Sequence, residues 1–513
     1  HDVDAALSLL SETYGFARAL RSAPGIRVSA PVDLDWNFES GILNVLCTEE
    51  VVLQLAAAGT KNLIVDGKGV QVKDHTVSLS LAPGNHLLSG VFPASEWISA
   101  VQKAASRMSK NPNPAPRKPD SDVPTQLPSL SPTFHVDLPG RVTKIVPGRL
   151  NNAPVAFAAR GKVVSAVDGA GKILREFESP ADISQLHWWD QANRLIIGTS
   201  DQRVLAFSPE GTLCWTFQSE MAPEVAAAGK TYWFNTAPGH GGIHGLDSGV
   251  FLENRSQLFV GSACTLEILD ANGKLMRRLP QFWGPPALFQ TVPAADGSVN
   301  LLVARDITDS PALHIINSKT MDPSPSGFNG VPFGHRSVGG WIDQRRLHLF
   351  HRDVNGDGKK EIISDITGVW NRISTWDEEG SPLASIHFGP GPSPFRGMNE
   401  LAPGLIRGTD MGDLNGDGRP EIVSAQSNRM VIALDGECRV QWSRRVDGVP
   451  TALRMAGDRV VVGQEDGAIL VLDGKGVFLS KTIASGAVDA LIAGEHRDVL
   501  VVRGASIEKF RIP

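Results

Sequence analysis

The chain has 513 residues, 42% of them hydrophobic and 20% charged, and its 49 basic and 55 acidic side chains leave a formal net charge of −6. That balance supplies no basic field for a nucleic-acid backbone or an anionic membrane surface, so neither is an expected partner. No apolar run reaches the ~18 residues a spanning helix needs, and 52 glycines with 34 prolines suit a chain of many tight turns.

The sequence opens on His1 without a basic stretch leading into an apolar one. The expectation is that the true start has been removed, so that a signal peptide or an upstream catalytic domain can have preceded it. Cys47, Cys214, Cys264 and Cys438 lie far apart with no CxxC pair. This excludes the common structural zinc patterns and leaves the redox compartment open.

Residues 1–24 form a helical N-terminal segment by pattern, in the run DVDAALSLLSETYGFARAL. Residues 25–110 then alternate apolar and polar positions in short runs broken at Ser40-Gly41, Gly59-Thr60, Asp66-Gly67 and Pro83-Gly84. Short alternating runs between turn residues predict a small β-sandwich. The sandwich is followed by a helix with Trp97, Val101 and Ala105 on one face and Ser95 as its cap. The turns from Ile64 to His86 resemble the β-sandwich modules that close many polysaccharide-degrading enzymes. From 111 to 133 proline recurs every few positions, the signature of an extended linker.

From 134 to 513 one design repeats: an apolar run ending in a small polar turn, then a Gly and another run. It recurs in GKVVSAVDGAGKILREF, QRVLAFSPEGTLCWTF, CTLEILDANGKLMRRL, ALHIINSKTM, NRISTWDEEGSPLASI, RMVIALDGECRVQWSR and GAILVLDGKGVFLSKT. The turns at Asp168, Ser208, Asp270, Asn317, Asp377, Asp435 and Asp473 are 40, 62, 47, 60, 58 and 38 residues apart, each interval long enough for one four-stranded blade. The expectation is an all-β, eight-bladed β-propeller, with seven blades as the alternative. The last unit offers only three strands, and residues 133–138 are expected to add its outer strand and close the ring. The turn-and-Trp pattern around Trp215 and Trp442 resembles quinoprotein-like repeats, but the adjacent cysteine pair of the quinone dehydrogenases is missing.

Two loops are nearly identical: DVNGDGKKE over 353–361 and DLNGDGRPE over 413–421. Oxygen-bearing side chains at alternate positions, with glycines for a sharp turn, are what a hard cation requires. The loops resemble the FG-GAP calcium loops of integrin-type propellers and rhamnogalacturonan lyases. That resemblance implies two structural Ca2+ sites, one on Asp353, Asn355, Asp357 and Glu361, the other on Asp413, Asn415, Asp417 and Glu421. The alternative is a pair of metal-free Asn/Asp-Gly turns.

Ligands of propellers bind where blade-connecting loops converge, and three such loops are long here: 220–242, 323–340 and 389–404. They carry Tyr232, His240, His335, Arg336 and Arg396, with His244 just beyond the first of them. These side-chain types suit β-elimination of a uronate polysaccharide: a cation against the carboxylate, a base for the C5 proton and an acid for the leaving oxygen. Propeller-fold ulvan and rhamnogalacturonan lyases, which the chain resembles, use groups of this kind. Trp233 and Trp283 are candidates for stacking on sugar rings and Asn399 for binding substrate. The plainer readings are hydrogen-bonded connectors, rim ion pairs and packing, with structural roles for His348 and His351. The expected function is therefore a secreted or cell-surface, calcium-stabilised propeller that acts on an acidic polysaccharide as a lyase. The alternative is a non-catalytic carbohydrate-binding or scaffold module of a larger enzyme. A surface adhesion module that reads protein ligands is a third reading.

Overall fold

The structure is a computed structural model. It describes residues 22–23, 26–29, 32–37, 41–47, 50–56, 62–72, 76–91, 121–229, 241–281, 284–294, 296–305, 313–321, 346–367, 372–378, 380, 382–388 and 405–513. The helices expected within 1–24 and 95–110 lie outside these residues.

Residues 22–91 form two antiparallel sheets, as the alternation predicts. One holds Ser22–Ala23, Ile26–Val28, Val51–Ala56 and Thr76–Leu81; the other holds Val32–Asn37, Ile42–Cys47, Gly84–Ser89, Leu63–Val65 and Lys68–Val70. In Thr76–Leu81 every second side chain is buried. Val77, Leu79 and Leu81 thereby join Leu43, Val45, Cys47 and Leu53 in one core, the outcome period-2 patterning dictates.

Eight further sheets follow in chain order, seven of four strands and one of three. They are blades 1 to 8 of a β-propeller. Within each blade we letter the strands A to D from the inner to the outer edge. Strands A to D are Lys144–Leu150 to Ile173–Glu178 in blade 1, Ile183–Trp189 to Leu213–Gln218 in blade 2, and Gly245–Glu253 to Leu275–Pro280 in blade 3. Blade 4 has three described strands, Pro286–Pro293, Val299–Arg305 and Leu313–Asn317. Blades 5, 6 and 7 run from Leu349–Arg352 to Pro382–His387, from Ile406–Gly412 to Val440–Arg445, and from Pro450–Ala456 to Phe478–Ile483. In blade 8, Ala490–Ala493, Asp498–Arg503 and Ser506–Arg511 are completed by Phe134–Asp137, which pairs antiparallel with Ser506–Arg511. First and last segments of the propeller thus share a sheet, as the three-stranded final repeat requires.

The predicted polar turns follow strand C of their blades, and those at Asp168, Asp270, Asp435 and Asp473 share one construction. Asp168 Oδ1 accepts the amides of Ala170 and Lys172, both at 2.9 Å. Asp270, Asp435 and Asp473 repeat the arrangement with Asn272 and Lys274, Glu437 and Arg439, and Lys475 and Val477. Such Asx turns make the acidic residue and the following left-handed position local requirements. Gly171, Gly273 and Gly476 occupy that position with φ of 82°, 77° and 75°, whereas in blade 6 it falls to Cys438 at φ 58°.

Of the proline-rich segment, residues 121–133 are described, and they are bound to the propeller. Asp122 exchanges backbone and side-chain bonds with Arg445 on the outer strand of blade 6. Pro128 O accepts Lys481 N, and Leu130 N donates to Thr482 Oγ1 at 2.8 Å, both on the outer strand of blade 7. Val123 and Leu127 pack on the core between blades 6 and 7, and Leu130 on that between blades 7 and 8. Cys47, Cys264 and Cys438 are buried and Cys214 is exposed.

Candidate functional site

Antiparallel strands place the A–B loops and C–D turns on one face of the ring and the B–C and D–A connections on the other. Both expected calcium loops are A–B loops, of blades 5 and 6. In the first, Asp353 accepts the amides of Gly356 and Gly358 at 2.7 and 2.9 Å, Asn355 Oδ1 accepts Asp357 N at 2.9 Å, and Asp357 Oδ1 accepts Lys359 N at 2.8 Å. Glu361 Oε2 closes the loop by accepting Val354 N at 2.9 Å. Asp413, Asn415, Asp417 and Glu421 repeat every one of these bonds. The second glycine pair matches the first in φ, 80° and 86° against 82° and 84°.

The donor chemistry fits a hard cation: only oxygens, on a frame of backbone amides that orients them. Burial, together with the nearby aspartates, pushes the carboxyls of Glu361 and Glu421 above their ordinary range. Among the described residues, however, no three His, Cys, Asp or Glu side chains gather round one point. The Asn355 amide nitrogen instead bridges Glu361 Oε1 at 3.0 Å and Asp357 Oδ2 at 3.3 Å. The loops also brace the ring. Val354 O presses on Gly436 in the C–D turn of blade 6, Leu414 O on Gly474 in that of blade 7, and the Arg419 side chain lies over Gly356.

On the opposite face, His244 is the one member of the expected catalytic set within the described residues. It heads the inner strand of blade 3, where its amide donates to Gly261 O and its carbonyl accepts Gln185 Nε2 at 2.6 Å. Its ring Nε2 lies 3.1 Å from Gly241 O. Tyr232, Trp233, His240, Trp283, His335, Arg336, Arg396 and Asn399 all lie outside the described residues. The long 220–242 connection begins with a helix, Pro223–Gly229, with Val225 packed beside Cys264. His348 has the structural role expected of it: its Nδ1 lies 2.7 Å from the buried Asp365 Oδ2.

The inner strands bring together a group that the sequence reading passed over. His187 Nε2 lies 2.9 Å from Ser248 Oγ, and its Nδ1 is 4.0 Å from Asp247. Burial pushes the His187 imidazole down to about 4 and the Asp247 carboxyl up to about 6. The imidazole is therefore neutral at pH 7. Gln185 and His187, polar residues at alternate positions of the inner strand Ile183–Trp189, are the signal that could have found it.

The A–B/C–D face carries a cleft of about 520 Å³ between blades 8, 1 and 2. Trp188, Arg149, Asp168, Glu495, His496 and Lys509 are among the side chains that line it. The half-buried Trp188 stacks on Phe157 at 5.4 Å and 21°, above Gly148, where a Cβ would fall 2.8 Å from its ring. His496 and Arg497 both take left-handed φ, 53° and 63°, at the rim. The described concavity thus lies on the face opposite to the expected mouth. Its aromatic residue is Trp188, of the Trp188-Trp189 pair.

No family model matches the sequence, and no curated protein matches it. Solved structures do. Sqt1 of Saccharomyces cerevisiae is similar with a TM-score of 0.54 at 10% identity, over 75% of this chain and 100% of that one. The Dos1 propeller follows at 0.52 and 12%, over 74% and 95%. The computationally designed Ika8 protein aligns at 0.51 and 17%, over 73% and 98%. The chain has a β-propeller fold. At these identities the likeness reaches no further than fold, because one propeller scaffold carries many functions.

Proposed function

We propose that this chain is a secreted, calcium-stabilised propeller that binds an acidic polysaccharide. The observation that carries the reading is the Trp188 cleft: a half-buried indole fixed by Phe157, with Arg149 and Lys509 beside it. A rigid aromatic plane suits the apolar face of a sugar ring, and a uronate or sulfated substituent would bind by taking Lys509 and Arg149 from Asp498 and Glu495, which hold them at 2.8 and 3.9 Å in the free protein. The residues that would hold calcium are Asp353, Asn355, Asp357 and Glu361, with their four counterparts in blade 6. The cation would supply positive charge to buried carboxylates and tie blades 5, 6 and 7 together.

β-Elimination is the second reading. It is supported by the channel group of His187, Ser248 and Asp247, which combines a neutral imidazole with a carboxyl group titrating near neutrality. Affinity electrophoresis against uronate-containing and neutral polysaccharides tests the binding reading. Trp188→Ala should lose most of the retardation on the acidic gels; equal retardation of both proteins would overturn the assignment of the cleft. Incubation with the same panel, read at the unsaturated-uronate absorbance band, tests for a lyase. A signal that disappears in His187→Gln would move the reading from binder to enzyme.

A further inference from the structure

Gly494, Glu495 and His496, from the A–B turn of blade 8, line part of the Trp188 cleft. Asp498 N donates to Glu495 O across the turn, and its two central residues, His496 and Arg497, are left-handed with φ of 53° and 63°. The A–B turn of blade 1 repeats these values, 50° and 63°, on Asn151 and Asn152. Asparagine suits that conformation, whereas a His-Arg pair does not build such a turn by preference. Contacts on both sides hold the blade 8 turn. Glu495 lies 3.9 Å from Arg149 of blade 1, while Arg497 is paired with Asp458 of blade 7 and its carbonyl accepts Ile512 N at 3.0 Å. Those bonds account for Arg497. They leave His496 in a sparsely populated conformation with no structural bond in return, and residues of that kind concentrate at ligand sites.

The other polar side chains of the cleft are already engaged. Asp168 accepts two amides of its own turn, Trp188 Nε1 donates to Asp190 Oδ1 at 3.3 Å, Lys509 is held by Asp498 at 2.8 Å, and Arg149 Nη1 donates to Asn152 O at 3.2 Å. His496 is exposed, and its imidazole has no partner among the described residues. A neutral imidazole offers one N–H and one lone pair, the complement of a hydroxyl, which both donates and accepts; a carboxylate only accepts and is matched by the two cations. We infer that His496 is a specificity-determining residue of the cleft, and that it reads a free hydroxyl on the acidic sugar. The ligand is thereby narrowed to a uronate polysaccharide that carries no ester at that hydroxyl. The inference rests on the acidic-polysaccharide reading and deepens it: Trp188 is the platform, Lys509 and Arg149 meet the acid, and His496 selects among acids.

The test is affinity electrophoresis of the full chain as parent, His496→Gly, His496→Asn and Trp188→Ala. The gels contain polygalacturonate or polyglucuronate, or the O-acetylated form of either, which keeps the carboxylates. The parent should bind an acetylated polymer roughly three- to tenfold more weakly than the free one, the worth of a single hydrogen bond. His496→Gly should lose a similar factor on the free polymer and should not distinguish the two forms. That factor should be the same at low and high salt, because the contact removed carries no charge. Without ligand, His496→Asn should melt no lower than the parent, since asparagine tolerates the left-handed turn. Equal retardation of the parent and His496→Gly, or discrimination against acetyl groups that survives in His496→Gly, overturns the assignment. A loss that fades at high salt overturns the hydroxyl in favour of a charge contact, and a lower-melting His496→Asn overturns the absence of a structural role. If Trp188→Ala loses retardation while His496→Gly keeps it, the cleft stands and His496 is not part of it; if no acidic gel retards the parent, both readings fall.

Discussion

Trp442, on the outer strand of blade 6, lies across Gly476 in the C–D turn of blade 7 and donates its indole N–H to Gly474 O at 2.9 Å. A Cβ on Gly476 would fall 2.8 Å from the ring, and φ is 75° there, so the turn is glycine for two independent reasons. Trp215 docks in the same way on Gly273, with Nε1 3.0 Å from Ala271 O, and Phe134 lies on Gly171. The docking is therefore a repeated joint between neighbouring blades. Trp442→Ala should destabilise the protein by about 3–5 kcal/mol, whereas Trp442→Phe, which keeps most of the packing and loses the hydrogen bond, should cost about 1 kcal/mol or somewhat more. Chaotrope unfolding followed by tryptophan fluorescence checks the order; a Phe variant as damaged as the Ala variant would mean that the bond rather than the ring holds the joint.

Calcium should raise the melting temperature and a chelator should lower it. If the ion binds the native loops alone, stabilisation follows RT ln(1 + [Ca2+]/Kd), about 2.7 kcal/mol at a hundredfold excess over Kd. Glu361→Gln combined with Glu421→Gln should abolish the calcium dependence, because each glutamate is the buried end of its loop. Magnesium should substitute poorly, since it demands a smaller and more rigid octahedral shell. A melting curve indifferent to calcium and to chelator would leave both loops as self-bonded turns, held by the Asn355 and Asn415 amides.

What the sequence displayed and what it hid divide along the range of the interactions. The Asp168, Asp270, Asp435 and Asp473 turns and the two DxNxDG loops are made within a few residues, so composition and spacing determine them locally. Closure of the ring was readable because the last repeat lacked a strand. The Trp188 cleft was not, because it joins residues near 150 to residues near 495, and the Trp188-Trp189 pair gives no sign of which ring faces outward. Trp189 is in fact fully buried, its Nε1 bonded to Ser256 Oγ, while its neighbour lines the cleft. The meeting of His187 with Asp247 needs two adjacent inner strands in register, which no local pattern specifies. The strap over 121–133 was hidden for a related reason: proline density predicts an extended backbone but not what that backbone lies against.

That strap makes the propeller sensitive to changes far from its blades in sequence. Leu130 packs against the core between blades 7 and 8, its own amide donates to Thr482 Oγ1, and Pro128 O accepts Lys481 N. Leu130→Asp would place a charge against that apolar cluster, and the segment should detach rather than bury it. In the parent, residues 121–133 should resist limited proteolysis, whereas the variant should be nicked there and melt earlier. Equal resistance in the two proteins would show that the backbone bonds alone retain the strap.

The pH dependence of stability should hide two opposing slopes in the channel. His187 titrates at about 4 in the folded protein against an ordinary 6.5. Between those values the unfolded chain holds a proton that the folded chain lacks, so this histidine's contribution is full above 6.5 and is lost as the pH falls through 4. Asp247 titrates at about 6 against an ordinary 3.8. There the folded chain holds the extra proton, so its contribution is full below 3.8 and is lost as the pH rises through 6. The windows nearly coincide and the signs are opposite, so the pair together should give a shallow profile between pH 4 and 6. Asp247→Asn should expose the histidine slope, with the melting temperature falling as the pH drops from 6.5 to 4. His187→Asn should expose the opposite slope, with the melting temperature falling as the pH rises from 4 to 6. Profiles of parent and variants that run parallel would mean that channel water solvates both groups well enough to leave them at their ordinary values.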